Sequence, residues 1–351
     1  MELREKIGQL LIVGFHGTFP EDEGVKILSE QIKASLVGGV IPYGYNIADP
    51  AQITQLNNFF KEAASGLPPL FITVDQEGGQ VQRLLPKKGF QGFPSAEEVA
   101  KMPDDEVMKV YQEMAEELKT YGFNWDFAPS VDMNPHGYKC PILGELQRIY
   151  GDNVMTVVHY AGLMVESFHS AGLLNCIKHF PGHGSAKKDS HQGFVDVTDV
   201  WSEEEMQPFF KLARQGKVDA VMTAHIFNDK IDARYPATLS EVTLKKLRDN
   251  GYEGVIISDD LHMSAIQEKF SFEEAVVGAF KAGNDMVIYS NNPMAASTIE
   301  GFKPDPQLPE FFQNTVLKAI KDKEILEDAI HTSFDRVMAL KDRLTHANDA
   351  K

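Results

Sequence analysis

Val255-Ile256-Ile257-Ser258-Asp259-Asp260 is an apolar run that breaks directly into a hydroxyl and two carboxylates. Consecutive branched aliphatic residues suit a strand covered on both faces, as in a parallel sheet, better than a half-exposed strand with alternating polarity. The charged pair at the C-terminal end stands where parallel-stranded barrels carry their chemistry. The same pattern recurs along the chain. Runs rich in Val and Ile fall at 10–15, 37–42, 70–74, 125–129, 173–179, 220–223, 255–258 and 286–289. Between them, stretches such as 50–64, 104–121, 153–171 and 272–282 place apolar residues at helical spacing. Tyr121-Gly122, Ala171-Gly172, Asn250-Gly251 and Ala282-Gly283 supply the glycines that close helices. Eight strand candidates alternating with helices predict an α/β fold, a (β/α)8 TIM barrel. The chain reads as one domain over 1–351, with a short helical tail from about residue 304 in which 324–344 is helical. An open doubly wound sheet is the competing arrangement, and no Gly-rich dinucleotide fingerprint follows an early strand to support it.

Composition narrows the class without naming a reaction. Hydrophobic residues make up 43% and charged residues 24%, as in an ordinary soluble globular protein. No stretch approaches the roughly 20 apolar residues that span a bilayer. Met1-Glu2-Leu3-Arg4-Glu5-Lys6 is charged and lacks the apolar core of a signal peptide, so a cytoplasmic location is expected, with an exported protein whose leader has been removed as the alternative. A net charge of −17 argues against nucleic acid and anionic membrane surfaces as partners. The two cysteines make a disulfide framework unexpected, and Cys176, within an apolar run, reads as a small core residue.

Polar residues gather at the ends of the strand candidates. The run 70–74 leads into Asp75-Gln76-Glu77-Gly78-Gly79, and 173–177 leads into Lys178-His179-Phe180-Pro181-Gly182-His183-Gly184. Ala220-Val221-Met222-Thr223 leads into Ala224-His225. Any one of these has a structural explanation: an Asp can cap the next helix, and His225 can be a hydrogen-bonded core group. Their convergence on one barrel mouth points to a site.

The segment after the fifth strand is the most informative. Pro181, Gly182 and Gly184 prevent a helix, so His179, His183 and Asp189-Ser190-His191 lie on a loop. His179 and His183 have the spacing of a zinc-binding helix pair, but the intervening proline and glycine defeat that geometry and no Glu follows His179. No metal site is therefore expected. Asp189 and His191, two apart on an extended loop, can face the same way; a carboxylate beside an imidazole fixes its tautomer and raises its proton affinity. Such a pair suits general acid and base work near neutral pH.

Taken together, these motifs resemble glycoside hydrolase family 3, in particular its single-domain β-N-acetylglucosaminidases of the bacterial cell-wall recycling type. The resemblance runs from Lys6-Ile7-Gly8-Gln9-Leu10 to about Asp285. It rests on Asp75-Gln76-Glu77-Gly78-Gly79-Gln80-Val81-Gln82-Arg83, on Lys178 to Gly184 with Asp189-Ser190-His191, and on Ser258-Asp259-Asp260-Leu261. It implies Asp259 as nucleophile, His191 as general acid/base and Asp189 as its partner. Asp75, Arg148, Lys178 and His179 would hold the sugar hydroxyls. Arg148-Ile149-Tyr150 stands where the family usually has Arg-Ser-Phe, and His262 stands where a Ser is common. Larger family members take an acid/base Glu from a second domain, whereas this chain has the Asp-x-His loop, which turns the expectation from glucose toward N-acetylglucosamine.

The resemblance thus implies a retaining β-N-acetylglucosaminidase that removes terminal β-linked N-acetylglucosamine from peptidoglycan fragments or chitooligosaccharides. No metal or organic cofactor and a monomeric state are expected. The alternatives are a β-glucosidase, β-xylosidase or phosphorylase in the same frame. Beyond these stand a metal-dependent hydrolase using His179, His183 and His191, and a sugar-binding protein without catalysis.

Overall fold

The computed structural model describes residues 1–137 and 139–349, with side chains other than those of His191 and residues 346–349. Eight parallel strands form the centre: β1 (Leu11–Val13), β2 (Gly39–Val40), β3 (Phe71–Val74), β4 (Trp125–Asp126), β5 (Cys176–Phe180), β6 (Ala220–Thr223), β7 (Val255–Asp260) and β8 (Met286–Tyr289). Their order is 4-3-2-1-8-7-6-5, each pair parallel. The ends of that series meet. Asp126 N–H donates to Leu174 O (2.9 Å), Cys176 N–H to Ala128 O (3.0 Å) and Lys178 N–H to Pro129 O (3.2 Å). These bonds join the β4 and β5 chains and close a (β/α)8 barrel, excluding the open sheet.

Every run read as a strand contains or overlaps one, because each was apolar enough to be buried on both faces; Cys176–Phe180 and Val255–Asp260 run one and two residues further. The helices begin and end where their caps direct. Asp49, ahead of Pro50, accepts from Gln52 N–H (2.9 Å) and starts Pro50–Ala63. Asn153 accepts from Thr156 N–H (3.0 Å) to start Val154–Ala171, which stops at left-handed Gly172. Ser271 and Glu274 form a capping box ahead of Phe272–Ala282, closed by left-handed Gly283. One continuous apolar core runs from Ile7 to Leu344. A smaller cluster, including Cys140, Leu143, Ala186, Val195 and Ile226, lies beneath a short parallel pair, Val195–Asp196 with Ile226–Phe227.

The helical tail resolves into two parts. Leu308–Lys321 follows β8 and packs beside Phe272–Ala282 as the eighth outer helix. Glu327–Asp349 instead crosses the floor of the barrel, at the N-terminal ends of the strands. Arg336 reaches Asp285 (3.0 Å), just before β8, and Arg343 pairs with Asp219, just before β6. Lys341 is fully buried, and its Nζ donates to Gln9 Oε1 (2.7 Å), Gly38 O (2.9 Å) and Pro69 O (2.6 Å), ahead of β1, β2 and β3.

Burial of the Lys341 ammonium pushes its pKa down to about 7. The unfolded chain, with an ordinary lysine, then binds more protons than the folded one between that value and about 10.4. Stability therefore rises with pH across this window, by at most about 1.4 kcal/mol per pH unit. We expect the wild-type protein to gain stability relative to Lys341→Met between pH 7 and 10 in thermal melts. Parallel curves for the two proteins would show that Lys341 keeps its proton throughout.

Candidate active site

The C-terminal ends of the strands form the opposite mouth, and most of the residues singled out in the sequence meet there. Asp75 follows β3 directly, and its carboxylate accepts from Lys178 Nζ (3.0 Å) and Arg83 (3.0 Å). Lys178, on β5, also reaches Glu77 Oε1 (2.7 Å). Arg148 comes from the long connection between β4 and Val154–Ala171. It grips Glu77 with Nε (2.8 Å) and Nη2 (2.7 Å), while Nη1 donates to Ile142 O (2.9 Å). Two carboxylates and three cations thus form one chain: Arg83, Asp75, Lys178, Glu77, Arg148.

Burial alone would raise both carboxylates. The Lys178 and Arg83 charges beside Asp75 outweigh burial and hold it well below the usual carboxylate range. Arg148 and Lys178 likewise bring Glu77 down to about 2. Burial disfavours the Lys178 ammonium, but Asp75 and Glu77 more than offset this and raise its pKa. The network is therefore fully ionised at neutral pH, with donors and acceptors fixed before any ligand arrives. Beneath it, Asp126 at the end of β4 accepts from Gln76 N–H (3.0 Å), and burial pushes its carboxyl well above the usual carboxylate range.

His179 follows Lys178 and is held by a different carboxylate. Its Nδ1 lies 2.7 Å from Asp132 Oδ2, and Asp132 also accepts from the His179 N–H (3.2 Å) and the His183 N–H (2.7 Å). Burial works against ionised Asp132, but His179 and His183 bring its pKa down to about 2. The same Asp132 fixes both histidines, so their spacing of four serves a turn around a carboxylate. Burial lowers the His183 pKa to about 4, leaving that ring neutral.

At the end of β7 the adjacent carboxylates differ. Asp260 is buried and accepts from Ser290 N–H (2.8 Å) and His262 N–H (3.0 Å), with burial raising its pKa to about 6. Asp259 is the one residue of the strand that is not buried, and its Oδ1 accepts from Asp260 N–H (2.8 Å). Strand alternation sends one carboxylate into the wall and leaves the other at the mouth. His225 is a core group, bonded to Thr238 Oγ1 (2.8 Å) and Asp260 O (2.9 Å).

Asp189 lies on the loop after β5, immediately before the turn Ser190–Gln192. That turn packs against Ser264–Gln267, beyond β7, so the loop crosses toward the Asp259 strand. The His191 backbone belongs to the turn, and its side chain lies outside the described residues.

Glu77, Asp132, Asp126 and Arg83 are site residues not singled out from the sequence. Glu77 and Arg83 stand within the quoted run after β3, where residue type alone gives them no role. Asp126 ends a short strand without a motif and Asp132 follows it, and only closure against β5 brings them into the site. Both departures in the sequence are absorbed by packing. The Tyr150 hydroxyl meets that of Tyr111 (2.7 Å) in the core, and His262 accepts from Asn291 N–H (3.0 Å) between Tyr289 and Phe302.

The chain is 30% identical over 343 residues to Beta-hexosaminidase A of Pseudoalteromonas piscicida, covering 92% of this chain and 56% of that relative. It is 33% identical over 299 residues to the Beta-hexosaminidase of Photobacterium profundum, covering 82% and 84%. The structure of a glycoside hydrolase family 3 beta-N-acetylglucosaminidase from Paenibacillus sp. str. FPU-7 superposes with a TM-score of 0.86 at 31% identity, over 98% of this chain and 63% of that one. This chain therefore spans little more than half of the first relative and most of the second. The family described as Glycosyl hydrolase family 3 N terminal domain matches residues 2–340, from the first helix to the helix under the floor, and the chain belongs to that family.

Proposed function

We propose that residues 1–351 act as one catalytic unit, a retaining β-N-acetylglucosaminidase with Asp259 as nucleophile. The observation that carries this reading is the contrast at the end of β7: Asp260 is bound down by two backbone N–H groups, while Asp259 is turned to the mouth. The names of the relatives support the substrate class.

Asp75, Arg148, Lys178 and His179 hold the ring hydroxyls, and Arg148 also orients Glu77 and, through it, Lys178. The Asp259 carboxylate attacks the anomeric carbon as the glycosidic C–O bond breaks, and His191 gives its proton to the leaving oxygen. The sugar is then esterified to Asp259. His191, now neutral, takes a proton from water as the water oxygen attacks the same carbon, which releases Asp259 and restores the β configuration. Asp189 stabilises and orients the imidazolium. The reading extends to a monomer acting on peptidoglycan fragments in the cytoplasm, with chitooligosaccharides as the substrates of an exported form.

The test is turnover of an aryl β-N-acetylglucosaminide and an aryl β-glucoside side by side, each with and without phosphate. A strong preference for the first, unaffected by phosphate, is expected. Preference for the glucoside would overturn the substrate, and a phosphate requirement would replace hydrolysis by phosphorolysis.

A further inference from the structure

We infer that Glu205 is a positioning residue for the proton-transfer loop, a role that rests on the assignment of His191 as acid/base. Glu205 lies on the short turn Glu203–Met206 ahead of Gln207–Ala213 and is completely buried. Its Oε2 accepts from Ser185 N–H (3.1 Å) and its Oε1 from Ser202 N–H (3.2 Å). Among the described residues no cation pairs with it. Burial without a cation raises the Glu205 pKa to about 8, and a polar group held there is costly where an apolar side chain would fill the same space. The Ser202 bond completes a capping box that an apolar residue would lose, and what the carboxyl adds beyond that cap is a bond to the loop, at Ser185 N–H.

The loop is built to meet it. A methyl group on Gly182 would lie 2.5 Å from Glu205 Cβ, and one on Gly184 would lie 1.8 Å from Met133 O, so the loop backbone lies directly against both. Trp201 Nε1 donates to Pro181 O (3.3 Å), and Asp132 takes the His183 N–H. Residues 181–186 are thereby fixed, and Ala186 enters the small apolar cluster. The chain is fixed again at Val195–Asp196, paired with Ile226–Phe227. Asp189, Ser190 and His191 lie between these two anchors. Glu205 holds the first anchor four residues before Asp189, and so sets where the pair is presented.

Glu205→Gln keeps the shape of the side chain but turns an NH2 group toward one of the two N–H donors, releasing one bond. The test is kcat/KM of the full chain for two N-acetylglucosaminides, one with a dinitrophenyl leaving group and one with a methylphenyl group that needs protonation. For Glu205→Gln, the loss on the poor leaving group should exceed that on the good one by about tenfold or more. Glu205→Asp, which keeps a carboxyl but draws it back from Ser185 N–H, should show a smaller loss with the same leaving-group dependence relative to wild type, and it carries the test if Glu205→Gln does not fold. Equal losses on both substrates, or none, would reduce Glu205 to a structural role and overturn the inference. His191→Ala is measured alongside. If it shows no leaving-group dependence, the acid/base assignment fails and the positioning role fails with it; if it does and the Glu205 variants do not, only the role of Glu205 is lost.

Discussion

Asp259→Ala is expected to lower kcat/KM for an aryl β-N-acetylglucosaminide by at least about 1000-fold, the scale on which removing a covalent nucleophile acts. Folding should survive. Asp259 is not a buried residue, and the hydrogen bond that it accepts from Asp260 N–H is worth about 1 kcal/mol. The Asp75–Lys178–Glu77–Arg148 network does not depend on it, so the variant should still bind sugar. Azide in the vacated space should attack the same face that Asp259 would have attacked, expel the activated aryloxide and give the α-glycosyl azide. Undiminished hydrolysis would remove Asp259 from the mechanism. An azide product of β configuration would point to a nucleophile elsewhere.

His191→Ala is expected to separate substrates by their leaving groups. An aryl group that departs without a proton needs little from the imidazole, so its kcat/KM should change by less than about tenfold. A sugar or methylphenyl leaving group needs protonation as the bond breaks, and there the loss should reach about 100- to 10,000-fold. The kcat/KM ratio is the right measure because it reports steps up to formation of the glycosyl-enzyme and not its hydrolysis. Equal losses on both substrates would count against proton transfer by His191. The Asp189 partner predicts a smaller effect in the same direction for Asp189→Asn, because orientation is kept while the charge that stabilises the imidazolium is lost.

Much of the barrel was legible in the sequence. Doubly covered strands must be apolar over their whole length, so Val255–Ile257, Ala220–Met222 and Leu70–Val74 identify themselves without any knowledge of their neighbours. Helix ends were equally local. Asn153 and Ser271 cap the helices they precede, and Gly172 and Gly283 adopt the left-handed conformation that ends the helices before them. The positions of Asp75, Lys178, His179 and Asp259 at strand ends come from the same counting.

What tertiary structure alone decided is which charges meet. Asp75 and Lys178 are 103 residues apart, and Arg148 and Glu77 are 71 apart, so no local rule pairs them. Asp132 finds His179 only because the chain after β4 hydrogen-bonds β5, where Val131 N–H donates to Lys178 O (2.8 Å). The neighbours Asp259 and Asp260 are chemically identical in the sequence. Strand alternation and the N–H groups of Ser290 and His262 make one of them part of the wall and leave the other at the mouth. The tail shows the same division: its helices were legible from periodicity, but that Lys341 runs under the barrel to three strand origins depends on closure of the sheet. Hydrophobic period and capping are properties of a few consecutive residues, whereas a buried charge finds its partner only once the fold has brought distant strands together and removed the water between them.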